Sequence, residues 1–416
     1  MKITSASLKT IRDSRGEKTI EVTLASGKRM ARASVPHGES RGSGEAFLMD
    51  PEKAKKSFPA LAQKIIGRDF RSQAVFDRFL IALDGTPDKH KLGGNVMLGL
   101  SLAWARLKAQ ERRMELHQYI QREMRDEKLE MRKKKFPHLT SHVPYSFFNM
   151  LNGGAHATHP QSRLSFQEFL VIPEARDSRT AFVLGKKFYG LLHRALIKRF
   201  GKKNIRLGDE GGFSAPFRSD EEALDILASL IKKHHLSLHL GLDCAATAFS
   251  KSPAFANAAA GRQMANRKWQ VEDYVRLVKK YNLLSVEDPF GENDGEGFRK
   301  LTAILARYHS PTLVVADDLT TTNPRRIEWA ANRKLATAVI IKPNQIGTLT
   351  EAIQAVSEAR RGGWKIIASH RSGETLDSFI SDFAVGVGAW GIKAGAPATP
   401  ERLAKYNRLV TIEANI

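Results

Sequence analysis

The stretch TLVVADDLTTTNPRRIEWAANRKLATAVIIK, residues 312–342, contains the unit from which the second part of the chain is built. Two short apolar runs, TLVVAD and TAVIIK, each end in a charged residue, and a segment of helical length lies between them. Such runs are typical of buried strands. A strand, a helix and a second strand in succession predict parallel pairing within one sheet.

The same unit recurs on both sides of this stretch. The further runs are LHLGLD (238–243), LLSVE (283–287), WKIIASHRS (364–372) and VGVGAWGIK (385–393). The polar ends of the six runs, with His370 taken for the fifth, are 44, 30, 25, 28 and 23 residues apart, which suits one strand and one helix each. So many units predict a closed β/α barrel, whose chemistry lies at the carboxyl ends of the strands.

The amino-terminal part has a different pattern. Residues 1 to about 35 read as a meander of short strands, and the apolar spacing becomes helical from Pro51 to Ile120. We therefore expect an α/β protein with an α+β amino-terminal capping domain, residues 1–136, and a TIM-type β/α barrel domain, residues 141–416. The boundary is predicted between the two, after a polar and basic segment.

Composition excludes several classes of protein. With 416 residues, 42% hydrophobic and 26% charged, the chain is globular rather than disordered or fibrous. No apolar stretch approaches the ~20 residues of a membrane helix, and the amino terminus does not resemble a signal peptide. The single cysteine, Cys244, fits a reducing compartment and is interpreted as a small packing residue. We expect a cytoplasmic protein with no membrane partner.

The chain is strongly basic. It has 66 Lys and Arg against 44 Asp and Glu, a net charge of +22. Residues 1–140 contribute 29 − 17 = +12 and the other 276 residues 37 − 27 = +10, so the amino-terminal third is about twice as basic per residue. Such an excess is typical of proteins that bind RNA or an acidic surface, and equally of a solvated surface.

Three of the predicted strand ends are carboxylates: Asp243, Glu287 and Asp317. Buried together without a cation, they would repel one another and take up protons. Oxygen ligands without His or Cys are those that Mg²⁺ prefers. A single such aspartate more often caps a helix, but three on consecutive units favour a metal site.

The next three ends are cationic. Lys342 beside bound cations is expected to have a lowered pKa and to accept a proton near neutral pH. Arg371 and Ser372 suit a phosphate group, and Lys393 suits another anionic group. Together with the metal site, these residues predict proton abstraction beside a carboxylate on a phosphorylated small acid.

Two earlier segments add polar residues. LGDEGGF (207–213) contains Glu210, and NGGAHATHPQSRLSFQEFL (152–170) contains His156, His159, Gln167 and Glu168. Alone each is a weak signal, because two glycines after an acid more often form only a turn. With the barrel ends, they supply the acid that a dehydration needs.

A series of blocks resembles the enolase family nearly end to end and in the family's order. The blocks are DSRG (13–16), LDGTPDKHKLGGN (83–95), NGGAHA (152–157), GDEGGF (208–213), LDCAA (242–246), SVEDPF (285–290), ADDLTTTNP (316–324), IKPNQIGTLTEA (341–352), SHRSGETLD (369–377) and IKAGAPATPERLAKYN (392–407). The resemblance implies a lyase of glycolysis and gluconeogenesis, phosphopyruvate hydratase, that interconverts 2-phosphoglycerate and phosphoenolpyruvate. A Lys or His base acting with one or two Mg²⁺ ions is already known for the enolase superfamily, so this chemistry is taken from the family.

The resemblance also implies a role for each matching residue. Lys342 is the base, and Glu210 is the acid with Glu168 beside it. Two Mg²⁺ ions are implied in each active site, the first held by Asp243, Glu287 and Asp317 and the second with the help of Ser40. The residues implied to bind substrate are His156, Gln167, Glu168, His370, Arg371, Ser372 and Lys393. The family is usually a homodimer, and DSRG and Glu21 match segments that face the partner.

Two features depart from the family pattern. The mobile active-site loop usually reads Ser-Gly-Ala-Ser-Thr-Gly, whereas residues 37–42 read HGESRG, with Ser40 retained. The segment between NGG and QEF is about three residues longer than usual, so the substrate histidine is His156 by its block and His159 by its distance to Glu168. We choose His156, because the block constrains the turn.

Two other functions compete with catalysis of this reaction. One is an enolase-like protein of reduced activity whose basic surface binds RNA or an acidic partner. The other is a metal-dependent acid-sugar dehydratase on the same barrel, which the phosphate-fitting pair Arg371 and Ser372 disfavours.

Overall fold

The computed structural model describes residues 1–38, 42–130, 143–247 and 269–415. The predicted domain boundary near 136–141 lies outside these residues, and so does Ser40. The sheets are the predicted ones: a small antiparallel sheet at the amino terminus and a closed barrel of eight strands with surrounding helices.

The amino-terminal sheet is a meander of three strands. They are β1 (Ser5–Arg12), β2 (Lys18–Ser26) and β3 (Arg29–Ser34), paired antiparallel in that order. Four helices follow in the described residues up to 130: α1 (Pro51–Ile65), α2 (Gln73–Asp84), α3 (Gly94–Glu111) and α4 (Leu116–Glu130). Local chemistry sets the bounds of α2, since the Ser72 side chain caps its first turn and Gly85 ends it in the left-handed conformation, with φ 68°.

Eight strands form the barrel. They are β4 (Tyr145–Asn152), β5 (Glu168–Pro173), β8 (Leu238–Asp243), β9 (Leu283–Glu287), β10 (Leu313–Ala316), β11 (Ala338–Ile341), β12 (Lys365–Ser369) and β13 (Gly391–Lys393), and β13 pairs with β4 to close the ring. Two short strands, β6 (Arg206–Leu207) and β7 (Phe213–Ser214), extend the sheet beside β4. Apolar side chains of the barrel strands, such as Leu170, Val315 and Ile340, form a small hydrophobic cluster that is separate from the larger core.

Helices separate most of the strands, as the repeating unit predicts. They are α5 (Ser178–Phe200), α6 (Asp220–Lys233), α7 (Val271–Tyr281), α8 (Gly295–Arg307), α9 (Pro324–Asn332), α10 (Pro343–Ile346), α11 (Leu349–Arg361), α12 (Phe379–Gly386) and α13 (Pro400–Glu413), with 3₁₀ turns at Gly154–His156 and Lys202–Asn204. The larger hydrophobic core includes residues of these helices, of the barrel strands and of the amino-terminal region.

One barrel strand runs against the expectation of a parallel sheet. β5 pairs antiparallel with both β4 and β8. The repeat in the sequence begins only at residue 238, so it contains no information about this strand. The reversal places Glu168, the first residue of β5, opposite Asp243, the last residue of β8.

A buried carboxylate connects the amino-terminal region to the barrel through hydrogen bonds. Asp77 on α2 accepts hydrogen bonds from the backbone N–H and hydroxyl of Thr350 on α11, at 2.9 and 2.6 Å. Gln73 donates to the same carboxylate and to Ser101 on α3. All of these partners are internal, so the contact sets the position of α2 and α3 against the barrel.

Candidate active site

The predicted site residues converge on one end of the barrel. β8, β9 and β13 end at Asp243, Glu287 and Lys393, and Asp317 and Lys342 each come one residue after a strand. A cavity of about 50 Å³ lies there. Its lining comprises His156, Gln167, Glu168, Glu210, Asp243, Ala245, Asp288, Asp317, Asp318, Lys342, Ser369, His370, Arg371, Ser372 and Lys393.

Lys393 lies at the centre of three of the carboxylates. Its Nζ is 2.6 Å from Asp243 Oδ2, 3.0 Å from Glu287 Oε2 and 3.1 Å from Glu168 Oε2. The strand register explains the group, because Glu168, Asp243 and Glu287 lie side by side on three neighbouring strands. Burial opposes the ammonium charge, yet these acids raise the pKa of Lys393 well above its usual range.

Asp317 and Lys342 form a second buried ion pair, in which the ammonium donates to Asp317 Oδ2. Burial disfavours both charges, but each partner stabilises the other, so the pKa of Asp317 is lowered and that of Lys342 is raised. The lowered pKa that the sequence analysis expects for Lys342 depends on bound cations, so it stays a prediction. In this structure the nearest charge is the Asp317 carboxylate.

Two acids at the site were not among the predicted residues. Asp288 and Asp318 directly follow the predicted ligands Glu287 and Asp317, and both line the cavity. The Asp288 carboxylate accepts the backbone N–H groups of Asp317 at 3.0 Å and Asp318 at 2.7 Å. It therefore holds the turn after β10. The doubled acids in SVED and ADDL were the signal that could have identified them.

The predicted acid, Glu210, lies in the turn between β6 and β7 and is 5% exposed. His370 Nε2 lies 3.0 Å from Glu210 Oε2, and Asn149 Nδ2 donates to the same oxygen at 3.4 Å. Burial raises the pKa of Glu210, but the contact with His370 outweighs it and holds the pKa well below its usual range. Burial also lowers the pKa of His370, to about 4. These two directions favour a neutral imidazole beside an ionised Glu210.

The structure brings His156, and not His159, to the cavity. His156 Nδ1 lies 3.6 Å from Glu168 Oε1. Burial opposes a charge on His156, but the nearby carboxylates of Glu168 and Glu210 raise its pKa to about 8. Burial raises the pKa of Glu168 to about 7. His159 instead accepts from the Gln161 backbone N–H through Nδ1. Gln167 lines the cavity, and its backbone N–H donates to the Asp243 carbonyl at 2.9 Å.

Arg371 and Ser372 also line the cavity, but Arg371 has an acidic partner that sequence reasoning missed. Its Nη1 lies 2.9 Å from Glu45 Oε2 and donates to Asn344 Oδ1 at 3.2 Å. Gly38 lies against the same guanidinium, because a Cβ there would be 1.8 Å from Arg371 Nη2. A larger residue at position 38 would require the guanidinium to move. Glu45 belongs to no strand-end pattern, so only its contact identifies it.

The acidic residues fit a hard divalent cation. Asp243, Glu287 and Asp317 are each less than a tenth exposed. Burial and the neighbouring Asp243 raise the pKa of Glu287 well above its usual range, so positive charge is needed to ionise the group. Carboxylate oxygens are the donors that Mg²⁺ prefers. Asp317 also groups with Asp288 and Asp318, with one oxygen of each within 4.8 Å of the others.

Comparison with known proteins gives two findings. The family described as "Enolase, N-terminal domain" matches residues 3–120, and the family described as "Enolase, C-terminal TIM barrel domain" matches residues 140–416. A curated protein of Aeropyrum pernix named "Enolase" is 39% identical to this chain over 419 aligned positions. The alignment covers 96% of this chain and 91% of that protein.

Proposed function

The chain belongs to the enolase family and is a lyase, a phosphopyruvate hydratase, and from this premise we propose that it interconverts 2-phosphoglycerate and phosphoenolpyruvate with two Mg²⁺ ions per site. One observation carries the proposal. Lys342, the proposed base, and Glu210, the proposed acid, line the same cavity as the phosphate-fitting pair Arg371 and Ser372. We further propose that it acts in glycolysis and gluconeogenesis in the cytoplasm. In the described residues no helix has the length and apolar character to span a membrane.

Lys342 is proposed to remove the proton from C2 of 2-phosphoglycerate. Its ammonium now donates to Asp317, and only a neutral amine can accept a proton. Lys342 can therefore act as a base only when another partner balances the charge of Asp317, so that the ammonium can lose its proton. Mg²⁺ held by Asp243, Glu287 and Asp317 would stabilise the negative charge that develops on the substrate carboxylate.

Glu210 is proposed to exchange a proton with the hydroxyl at C3. The contact with His370 and a pKa held well below its usual range favour the ionised form of Glu210, which is the form that takes a proton from water in the hydration of phosphoenolpyruvate. In the dehydration, Glu210 must be protonated beforehand, so that it can give this proton to the leaving hydroxyl. Glu168 and His156 lie beside it, with pKa values raised to about 7 and about 8, so protons can be held next to Glu210 near neutral pH.

The other cavity residues are proposed to bind the substrate. Arg371 and Ser372 would hold the phosphate, since a guanidinium and a hydroxyl both donate to phosphate oxygens. Lys393 would neutralise the substrate carboxylate region, with His156, Gln167 and His370 in support. Ser40, proposed for the second Mg²⁺, lies outside the described residues.

The test is an assay of the purified protein with 2-phosphoglycerate and Mg²⁺, following formation of the enol product. Product should form, and both a chelator and Lys342→Ala should abolish it. The matched control is Lys365→Ala, because Lys365 is the first residue of β12, at the other end of the barrel. Absence of metal-dependent product, or full turnover by Lys342→Ala, would refute the assignment.

We also propose a homodimer. In this chain Ser14 of the DSRG block donates its backbone N–H to the Glu374 carbonyl at 2.7 Å, so the block also contacts the barrel of its own subunit. Glu21 pairs with Lys9 at 2.9 Å. Light scattering should give twice the chain mass of 46.3 kDa, and a strictly monomeric mass would contradict the proposal. We do not propose RNA binding, because no observation on the described residues favours it over catalysis.

A further inference from the structure

Arg402 is a buried cation to which the proposed reaction gives no role. It lies in the first turn of α13 and is 0% exposed. Its guanidinium donates to the carbonyls of Arg371 at 2.7 Å, Ser372 at 2.6 Å and Asp209 at 3.2 Å, and to Nδ1 of His370. In the described part of the chain, the hydrogen-bond partners of Arg402 are thus carbonyls and an imidazole, and no carboxylate is among them. Burying a cation without a direct counterion is costly, so the arrangement needs an explanation.

The contact with His370 determines where the imidazole proton lies. A guanidinium can only donate hydrogen bonds. Nδ1 of His370 must therefore present a lone pair to Arg402, and the ring proton must be on Nε2. That nitrogen lies 3.0 Å from Glu210 Oε2, so the imidazole donates to the proposed acid.

We propose that Arg402 is a positioning residue that locks His370 in the Nε2–H tautomer, so that His370 always presents a donor to the same oxygen of Glu210. The inference deepens the proposed function and rests on it. The opposite tautomer would place a lone pair against the Glu210 carboxylate and repel it. One oxygen of Glu210 is thus held by the protein, which leaves the other for proton exchange.

The same guanidinium sets two segments against each other. It donates to the carbonyl of Asp209, the residue before the proposed acid Glu210. It also donates to the carbonyls of Arg371 and Ser372, whose side chains are proposed to hold the phosphate. The space around it is tight. A Cβ at Gly395, where φ is +80°, would lie 2.9 Å from Arg402 Cδ and 3.1 Å from His370 Cε1. The Gly395 backbone therefore packs closely against both side chains.

Three charged groups act on His370 from the elements around it. Glu210 comes from the turn between β6 and β7, Arg402 from α13, and Glu374 from the segment after β12. The two acids favour a protonated imidazole, whereas burial and Arg402 oppose it. Removal of Arg402 is therefore expected to allow protonation at Nδ1.

The tautomer can be measured directly by long-range ¹H–¹⁵N NMR on protein labelled with ¹⁵N-histidine, with His370→Gln used to assign the signal. The native protein should show His370 protonated at Nε2 and not at Nδ1. Arg402→Met should show protonation at Nδ1 in a fraction of molecules or all of them, and Arg402→Lys, which retains a donor, should show less. The kcat of Arg402→Met should fall about 100-fold, within the usual contribution of general acid–base catalysis, with a much smaller change in KM.

Arg408→Met is the matched control. Arg408 lies on the same helix but pairs with Asp382 and Glu115, so its variant should keep the native His370 spectrum. A native His370 protonated at Nδ1, or an Arg402→Met spectrum identical to the native one, would overturn the inference. If Arg402→Met does not fold, the native spectrum and Arg402→Lys decide between the two tautomers. The spectra need no substrate, so failure of the proposed reaction would appear separately, in the turnover assay of the native protein.

Discussion

Arg371, at the mouth of the barrel, forms a buried ion pair with Glu45, which comes from the amino-terminal region 326 positions earlier in the sequence. Glu45 also accepts the Gly42 backbone N–H at 3.0 Å and the Gln345 side chain at 3.2 Å. The guanidinium proposed to bind phosphate is therefore already neutralised by an internal carboxylate. A phosphate group has to compete with Glu45 for this partner.

Glu45→Gln should increase the affinity for phosphate-bearing ligands. The amide keeps the shape of the side chain and removes the competing negative charge, so the Kd for 2-phosphoglycerate should fall several-fold, corresponding to about 1 kcal/mol. Isothermal titration calorimetry measures the change. Glu52→Gln, at a half-exposed surface pair with Lys18, is the control. Unchanged or weaker binding by Glu45→Gln would show that Glu45 helps to position Arg371 instead of competing.

Lys393→Met should make folding dependent on Mg²⁺. The substitution removes the one ammonium that contacts Asp243, Glu287 and Glu168 in the described structure. Loss of a buried partner of this kind typically costs about 3–5 kcal/mol. Thermal unfolding should show a marked loss of stability in chelator and a substantial recovery with added Mg²⁺. Equal loss in both conditions would argue against a cation site among these carboxylates.

Asp77→Asn should change how stability depends on pH. Burial raises the pKa of Asp77 to about 6, against the ordinary value of 3.8. Between pH 4 and 6 the folded chain keeps a proton at Asp77 that the unfolded chain has released. Ionisation of Asp77 therefore lowers the free energy of unfolding as the pH rises from 4 to 6, by up to about 1.4 kcal/mol per pH unit. Above pH 6 it causes no further change of this free energy with pH.

Urea unfolding of the native protein and Asp77→Asn at several pH values from 4 to 7 tests this prediction. The difference in free energy of unfolding between the two should shift in favour of the variant as the pH rises to 6, and then level off. A difference that stays constant over the whole range would show that Asp77 ionises at an ordinary pKa.

Cys244 should be unreactive in the folded protein. It is 1% exposed, and burial raises the pKa of its thiol well above the usual range. Only the thiolate reacts quickly. A disulfide reagent such as dithionitrobenzoate should therefore label the native chain very slowly and label one thiol per chain rapidly in urea. Fast labelling of the native protein would indicate local opening of the barrel at β8.

Much of the fold and the chemical character of the site could be predicted because their signals are local. Five of the six apolar runs end at or within one residue of the strand end that the structure shows, as at Asp243, Glu287 and Lys342, and the run at 364–372 ends three residues beyond β12. Because the carboxyl ends of parallel strands meet at one mouth, a list of strand ends was also a list of neighbours. By contrast, the direction of β5 could not be predicted, since it lies before the repeat begins.

The sequence by itself determined that this chain is a barrel with carboxylates followed by cations at its strand ends, because apolar periodicity and strand length depend on neighbouring residues. Only the tertiary structure decided which groups pair. It placed Lys393 among three acids, joined Arg371 to Glu45, brought His156 to the cavity and set Arg402 against His370. These partners lie far apart in the chain, and their pKa values depend on burial and on the nearest charge, neither of which a linear pattern contains.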